Sequence, residues 1–123
     1  MAHDIIKPSF TRSDTRGVLT EILNGGHWES ILNGDMKPGA VMGNHYHNDT
    51  VVFFYLTSGA VTVKTIDVQT GERDTFQLGA NEGVMLYTGE SHAIHFDEQS
   101  GFIMLKSKLY DPQNPDTFAY PVD

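Results

Sequence analysis

Gly39-Ala40-Val41-Met42-Gly43-Asn44-His45-Tyr46-His47, with Gly59 following, decides how this chain is read. Two histidines stand one residue apart in a run bracketed by glycines. In an extended strand, residues i and i+2 point to the same face. His45 and His47 therefore project together, their Cα atoms roughly 7 Å apart by strand rise. Two imidazoles on one strand face can share a metal or act as a proton-transfer pair. The spacing is too short for a helical metal site, which places its histidines at i and i+4.

Outward from that strand, helical periodicity is weak and strand signals recur at short intervals. The segments 17–23 (GVLTEIL) and 27–32 (HWESIL) read as strands separated by the turn Asn24-Gly25-Gly26. The continuous apolar run 51–57 (VVFFYLT) predicts a strand buried on both faces. Ser58-Gly59 turns the chain into 60–68, where Val61, Val63 and Thr65 share one face and Lys64 takes the other. Gln69-Thr70-Gly71-Glu72 is a hairpin turn, Gly71 being free to take positive φ, and 73–78 returns. After the loop 79–83 come strands over 84–87, 91–96 and 101–109, with Thr88-Gly89-Glu90 as a turn. About ten short strands with turns every 8–12 residues or so predict an all-β sandwich or barrel. The tail 111–123 has three prolines and no period, and is expected to run extended over the surface or onto a partner subunit.

A length of 123 residues predicts one domain able to bury a core without staples. There are no cysteines, hence no disulfide and no thiolate metal site, which fits a cytoplasmic protein. Sixteen acidic against eight basic residues give a net charge of −8, which argues against nucleic acid or an anionic membrane as partner. No apolar run reads as a signal peptide or approaches a membrane span.

Of six histidines, His3 lies beside the start and is expected to be disordered, and His27 beside Trp28 reads as surface or packing. His92 and His95 are three apart, so on a regular strand they face opposite sides and only one can join His45 and His47. The turn at Gly89 favours His92, at the mouth of a barrel. The alternative is a set of hydrogen-bonded barrel histidines with no ligand. Phe53, Phe54 and Tyr55 could line an apolar pocket but suit a core better. Met36, Met42, Met85 and Met104 read as barrel filling.

Gly39, His45, His47 and Gly59, with Gly89 and His92 in Tyr87-Thr88-Gly89-Glu90-Ser91-His92, resemble the two motifs of the cupin superfamily. That resemblance implies a single small cupin (jelly-roll-like) barrel over 1–123 with its site in the mouth. A narrower one covers most of the chain. Asp14-Thr15-Arg16-Gly17-Val18-Leu19-Thr20-Glu21 resembles the opening of RmlC-like sugar-nucleotide cupins. Gly43-Asn44-His45-Tyr46-His47 and Tyr110-Asp111-Pro112-Gln113-Asn114-Pro115-Asp116-Thr117-Phe118 resemble the C-terminal cupin of capsular polysaccharide sugar epimerases. Those relatives act on nucleotide-linked 4-keto sugars and dimerise through the barrel. They carry Arg where this chain has Met42 and Glu where it has Val52, so a phosphate contact and a metal ligand are missing here.

The resemblance implies an epimerase or isomerase acting on a keto sugar or similar carbonyl compound, as a homodimer in polysaccharide biosynthesis. Such chemistry needs a base near neutral pKa and a donor for the enolate oxygen. His45 would be the base; His47 or a tyrosine (Tyr46, Tyr55 or Tyr87) would be the donor. Arg16 and Glu21, with Tyr46 and Tyr55, would line the substrate site, the first two from the neighbouring subunit. Arg16 and Glu21 read equally well as a surface turn and a cross-strand ion pair. A second expectation is a divalent metal (Zn, Fe, Ni or Mn) on His45, His47 and His92, serving a dioxygenase or lyase. A third is a non-catalytic sugar- or small-molecule-binding cupin. No organic cofactor is implied.

Overall fold

The computed structural model describes residues 3–122, and among them eleven strands and no helix. They run β1 (Phe10–Asp14), β2 (Gly17–Glu21), β3 (Ser30–Met36), β4 (Val41–Tyr46), β5 (Val52–Ser58), β6 (Ala60–Asp67), β7 (Arg73–Gly79), β8 (Glu82–Leu86), β9 (Glu90–Phe96), β10 (Ser100–Lys106) and β11 (Phe118–Ala119). Two antiparallel sheets face each other, ordered β3-β10-β5-β8 and β11-β4-β9-β6-β7. β1 and β2 form a third, two-stranded sheet paired only with itself.

Alternation fills the space between the two large sheets. Val52, Phe54 and Leu56 of β5 meet Val61 and Val63 of β6, Ile94 and Phe96 of β9, and Phe102 of β10 in one core. Phe54, Phe96 and Phe102 pack ring on ring, with centroids 5.3 to 6.5 Å apart. β5 is buried on both faces, as its unbroken apolar run predicts. Phe53 and Tyr55 point away from the barrel interior, where Trp28 covers Phe53 and the Tyr55 hydroxyl donates to Asn81 Oδ1 at 3.0 Å.

The strand expected over 27–32 starts at Ser30 and continues to Met36. Trp28 turns back to donate from Nε1 to the Gly25 carbonyl, which ends the extended run before His27 and Glu29 can join it. Further on, β3 runs through Asn33-Gly34-Asp35, and Gly34 is a strand residue. A Cβ there would lie 2.2 Å from the Phe102 ring, so glycine makes room for an aromatic across the ladder. His3 is not disordered. Its ring stacks on Phe76 and lies between Asp74 Oδ2 (2.7 Å) and Glu90 Oε2 (2.9 Å). The tail folds back on its own chain. β11 pairs with β4, and the Tyr120 and Val122 amides donate to Asn44.

Candidate functional site

Three imidazoles converge at one end of the barrel. β4 would carry His45 and His47 on one face by simple alternation, but it contains a bulge. Asn44 is an extra residue between the Gly43–Ala93 and His45–His92 pairs. Gly43 and Asn44 both take positive φ, at 106° and 59°. The kink sets His45 directly across from His92 of β9. His47 follows the end of β4 and closes the triangle. Ring centroids are 4.8 Å apart for His45–His92, 5.0 Å for His45–His47 and 5.7 Å for His47–His92. One nitrogen from each ring lies within 4.8 Å of the others. On β9, His92 shares the inward face with Ile94 and Phe96, and His95 lies on the other face, as the three-residue spacing predicts.

Electrostatics hold His45 and His92 neutral. His92 is only 6 % exposed, and its pKa falls to about 3, first through burial and then through His45, His47 and Lys106. Its Nδ1 is buried with no hydrogen-bond partner among the described residues. The His45 pKa is lowered by burial, by His47 and by Lys106. His47 Nδ1 lies 2.6 Å from the carbonyl oxygen of Asp116. A carbonyl only accepts, so Nδ1 carries the proton and the neutral ring has its lone pair on Nε2. The Asp116 carboxylate caps the loop after His47, taking the amides of Asn48, Asp49 and Thr50 at 2.8 Å each. Burial would raise its pKa; those bonds outweigh it and the pKa is lowered.

The histidines line a cavity of about 60 Å³ with Met42, Gly43, Val52, Ile94, Met104 and Lys106. That space admits a few water-sized groups, enough for a carbonyl and its neighbours. A wider groove of about 210 Å³ shares His47 and Lys106 and runs along Lys108, Tyr110, Asn114 and Asp116. Lys106 and Asp116 were not among the residues expected here. Lys106 is legible only through its pairing with Val52 across the β5–β10 ladder. Asp116 is legible as a turn-capping Asp before Thr117, but not as a partner of His47.

The remaining expected residues lie elsewhere. Tyr46 projects from the opposite face of β4 and packs on Phe118 and Tyr120. Strand alternation between two inward histidines requires this. Tyr55 is buried on the far face of β5. Tyr87 is 49 % exposed beyond the end of β8 and lies outside the histidine cavity. Arg16 sits at the tip of the β1–β2 hairpin, paired with Asp14 at 2.7 Å, and Glu21 accepts from the Ser9 hydroxyl. Within one chain neither lines the cavity.

By distance the three nitrogens suit a divalent cation. Three neutral imidazoles can hold one, but they bring no negative charge to it. Among the described residues the cluster holds three imidazoles and no carboxylate, and the nearest ionised wall group is the cation Lys106.

The model of the polysaccharide biosynthesis C-terminal domain matches residues 12–118. The chain belongs to that family. It is an RmlC-like cupin. CapF, the capsular polysaccharide assembling protein of Staphylococcus aureus, matches with 26 % identity and a TM-score of 0.73 over 92 % of this chain and 32 % of its own. The chain thus spans about a third of CapF. The dTDP-4-dehydrorhamnose 3,5-epimerase of Sulfolobus tokodaii matches with 19 % identity and a TM-score of 0.76, over 89 % of this chain and 73 % of its own. ChmJ, a 3'-monoepimerase from Streptomyces bikiniensis solved with dTDP-quinovose, matches with 21 % identity and a TM-score of 0.77, over 95 % and 68 %. At such identities the last two establish the fold. No curated protein sequence matches the chain.

Proposed function

We propose that this cupin is a sugar epimerase or isomerase that moves a proton next to the carbonyl of a keto sugar, carried on a nucleotide, in polysaccharide biosynthesis. The observation that carries this reading is the convergence of His45, His47 and His92, two of them held neutral, on a cavity sized for a carbonyl group. Neutral His45 abstracts the proton α to the carbonyl. His47, its Nδ1–H given to the Asp116 carbonyl, offers an Nε2 lone pair and serves as an acceptor beside the base. The adjoining groove takes the rest of the sugar. The enzyme works as a cytoplasmic homodimer in which Arg16 and Glu21 reach the neighbouring chain's groove.

The similarity to CapF and the shared fold with two dTDP-sugar epimerases support this reading. dTDP-4-dehydrorhamnose in heavy water tests it. Wild-type protein should wash deuterium into the carbons flanking the carbonyl, and His45→Gln should lose at least about a hundredfold in that rate. Unchanged exchange in the variant would remove His45 as the base.

A further inference from the structure

Lys106 occupies a position in the site that neither the histidine motif nor the family resemblance assigns. Its partner across the ladder is Val52, the position where the resembled relatives carry a glutamate. On β10 it shares a face with Phe102 and Met104, both turned to the barrel core. It is therefore an inward residue, and it lines the same cavity as the three imidazoles. It lines both the histidine cavity and the groove that continues from it. Among the described residues no carboxylate pairs with it. Every other polar side chain lining the cavity is an imidazole. A relative with glutamate at the Val52 position has an acidic wall. This chain has replaced it with an apolar residue backed by a cation.

A half-buried ammonium on the wall of a cavity without carboxylates attracts negative charge and repels a dication, and both effects grow where water is scarce. We propose that Lys106 is a catalytic residue that receives the carbonyl oxygen of the substrate and bears the enolate charge, and that the same ammonium weakens divalent-metal binding to the three histidines. The first half rests on the proton-transfer reading above; the second stands without it. His45 takes the α-proton, the C–H pair becomes the C=C bond, and the carbonyl π pair moves to the oxygen hydrogen-bonded to Lys106. A proton then returns to carbon from the other face while the enolate pair re-forms C=O. His45 gives up its proton to solvent, so no oxidant or reductant is consumed. Lys106 lends a hydrogen bond and transfers no proton.

Two measurements on wild type, Lys106→Met, Lys106→Arg and Lys106→Glu decide the matter, each variant being checked for an unchanged melting transition. The first uses zinc ion alone, by competition against a chromophoric chelator. Lys106→Met should bind zinc at least about tenfold tighter than wild type, Lys106→Glu tighter again, and Lys106→Arg like wild type. Equal affinity in all four proteins overturns the charge argument. The second uses dTDP-4-dehydrorhamnose in heavy water. Lys106→Met should lose about a hundredfold or more in kcat with KM within a few-fold, and Lys106→Arg should recover part of the loss. A kcat unchanged in Lys106→Met overturns the enolate role. Wild-type protein that exchanges no deuterium defeats the enolate half together with the proton-transfer reading. The zinc series still decides the other half.

Discussion

Gly43 joins the backbone geometry to the histidine cluster more directly than any ligand-bearing residue. Its φ of 106° lies where side chains are rarely tolerated, and a Cβ built on it would stand 2.4 Å from the carbonyl oxygen of His92. That oxygen belongs to a strand backbone fixed by β4 on one side and β6 on the other, so it cannot give way. Gly43→Ala should therefore cost about 1–3 kcal/mol of stability, read as a lower denaturant midpoint. It should also separate β4 from β9 at the point where His45 faces His92. If the variant keeps the wild-type midpoint, the bulge does not depend on glycine. What could be read at this scale was the facing pair, because His45 and His47 obey alternation. The same rule places Tyr46 on the outer face, where it packs on Phe118 and Tyr120. The bulge residue Asn44 and the cation Lys106 were not legible. Each acquires its meaning from a strand distant in sequence, β9 for one and β5 for the other.

Among the elements, the strands with strong apolar pattern were legible and those whose composition mimics a turn were not. β5 follows its sequence because burial specifies both faces, and β6 because burial specifies one. β3 runs through Asn33-Gly34-Asp35, since the Phe102 ring occupies the space a side chain would need. The start of the chain defeats compositional reading for another reason. His3 is held by two distant acids, Asp74 on β7 and Glu90 on β9, in a clamp that local sequence does not show. The His3 side chain is 3 % exposed, and its pKa is raised by the bond to Glu90, against the opposing effect of burial, with Asp74 adding to the rise. A raised histidine pKa contributes stability that is whole below the ordinary value of about 6.5 and disappears as pH climbs through the folded value. The Asp74 pKa is lowered, first by the bond from His3, so its share is present above the ordinary carboxylate range and lost below it. The clamp is strongest between these limits. His3→Gln should lower the denaturant midpoint most in mildly acidic solution, by about 1–2 kcal/mol, with the gap to wild type closing as pH rises through the raised His3 value. A gap independent of pH would mean that the ring contributes packing on Phe76 and no charge.

For the whole molecule, the β1–β2 hairpin poses a question that one chain does not answer by itself. The hairpin pairs with no other strand, yet it exposes Phe10, Val18 (68 %) and Leu19 (57 %). β3, the outer strand of its sheet, leaves one edge unpaired and shows Ile31 at 72 % exposure. An apolar hairpin without a partner and a free apolar edge are complementary surfaces, and in the homodimer proposed above a second copy would supply both with twofold symmetry. The net charge of −8 opposes close approach of two copies, so apolar burial would have to carry such a contact. Light scattering should give twice the chain mass for wild type and the single chain mass for Leu19→Asp. The assembly also bears on catalysis. Arg16 lines no part of its own chain's histidine cavity, so the substrate contact proposed for it would be made across the proposed dimer. Arg16→Ala and His45→Gln should each be nearly inactive alone. Unfolded together and refolded as a mixture, they should recover roughly a quarter of wild-type activity, because half the dimers are mixed and each mixed dimer holds one intact site. No recovery on mixing would place Arg16 and His45 in the same chain's site. An active Arg16→Ala variant would return Arg16 to a surface turn held by Asp14.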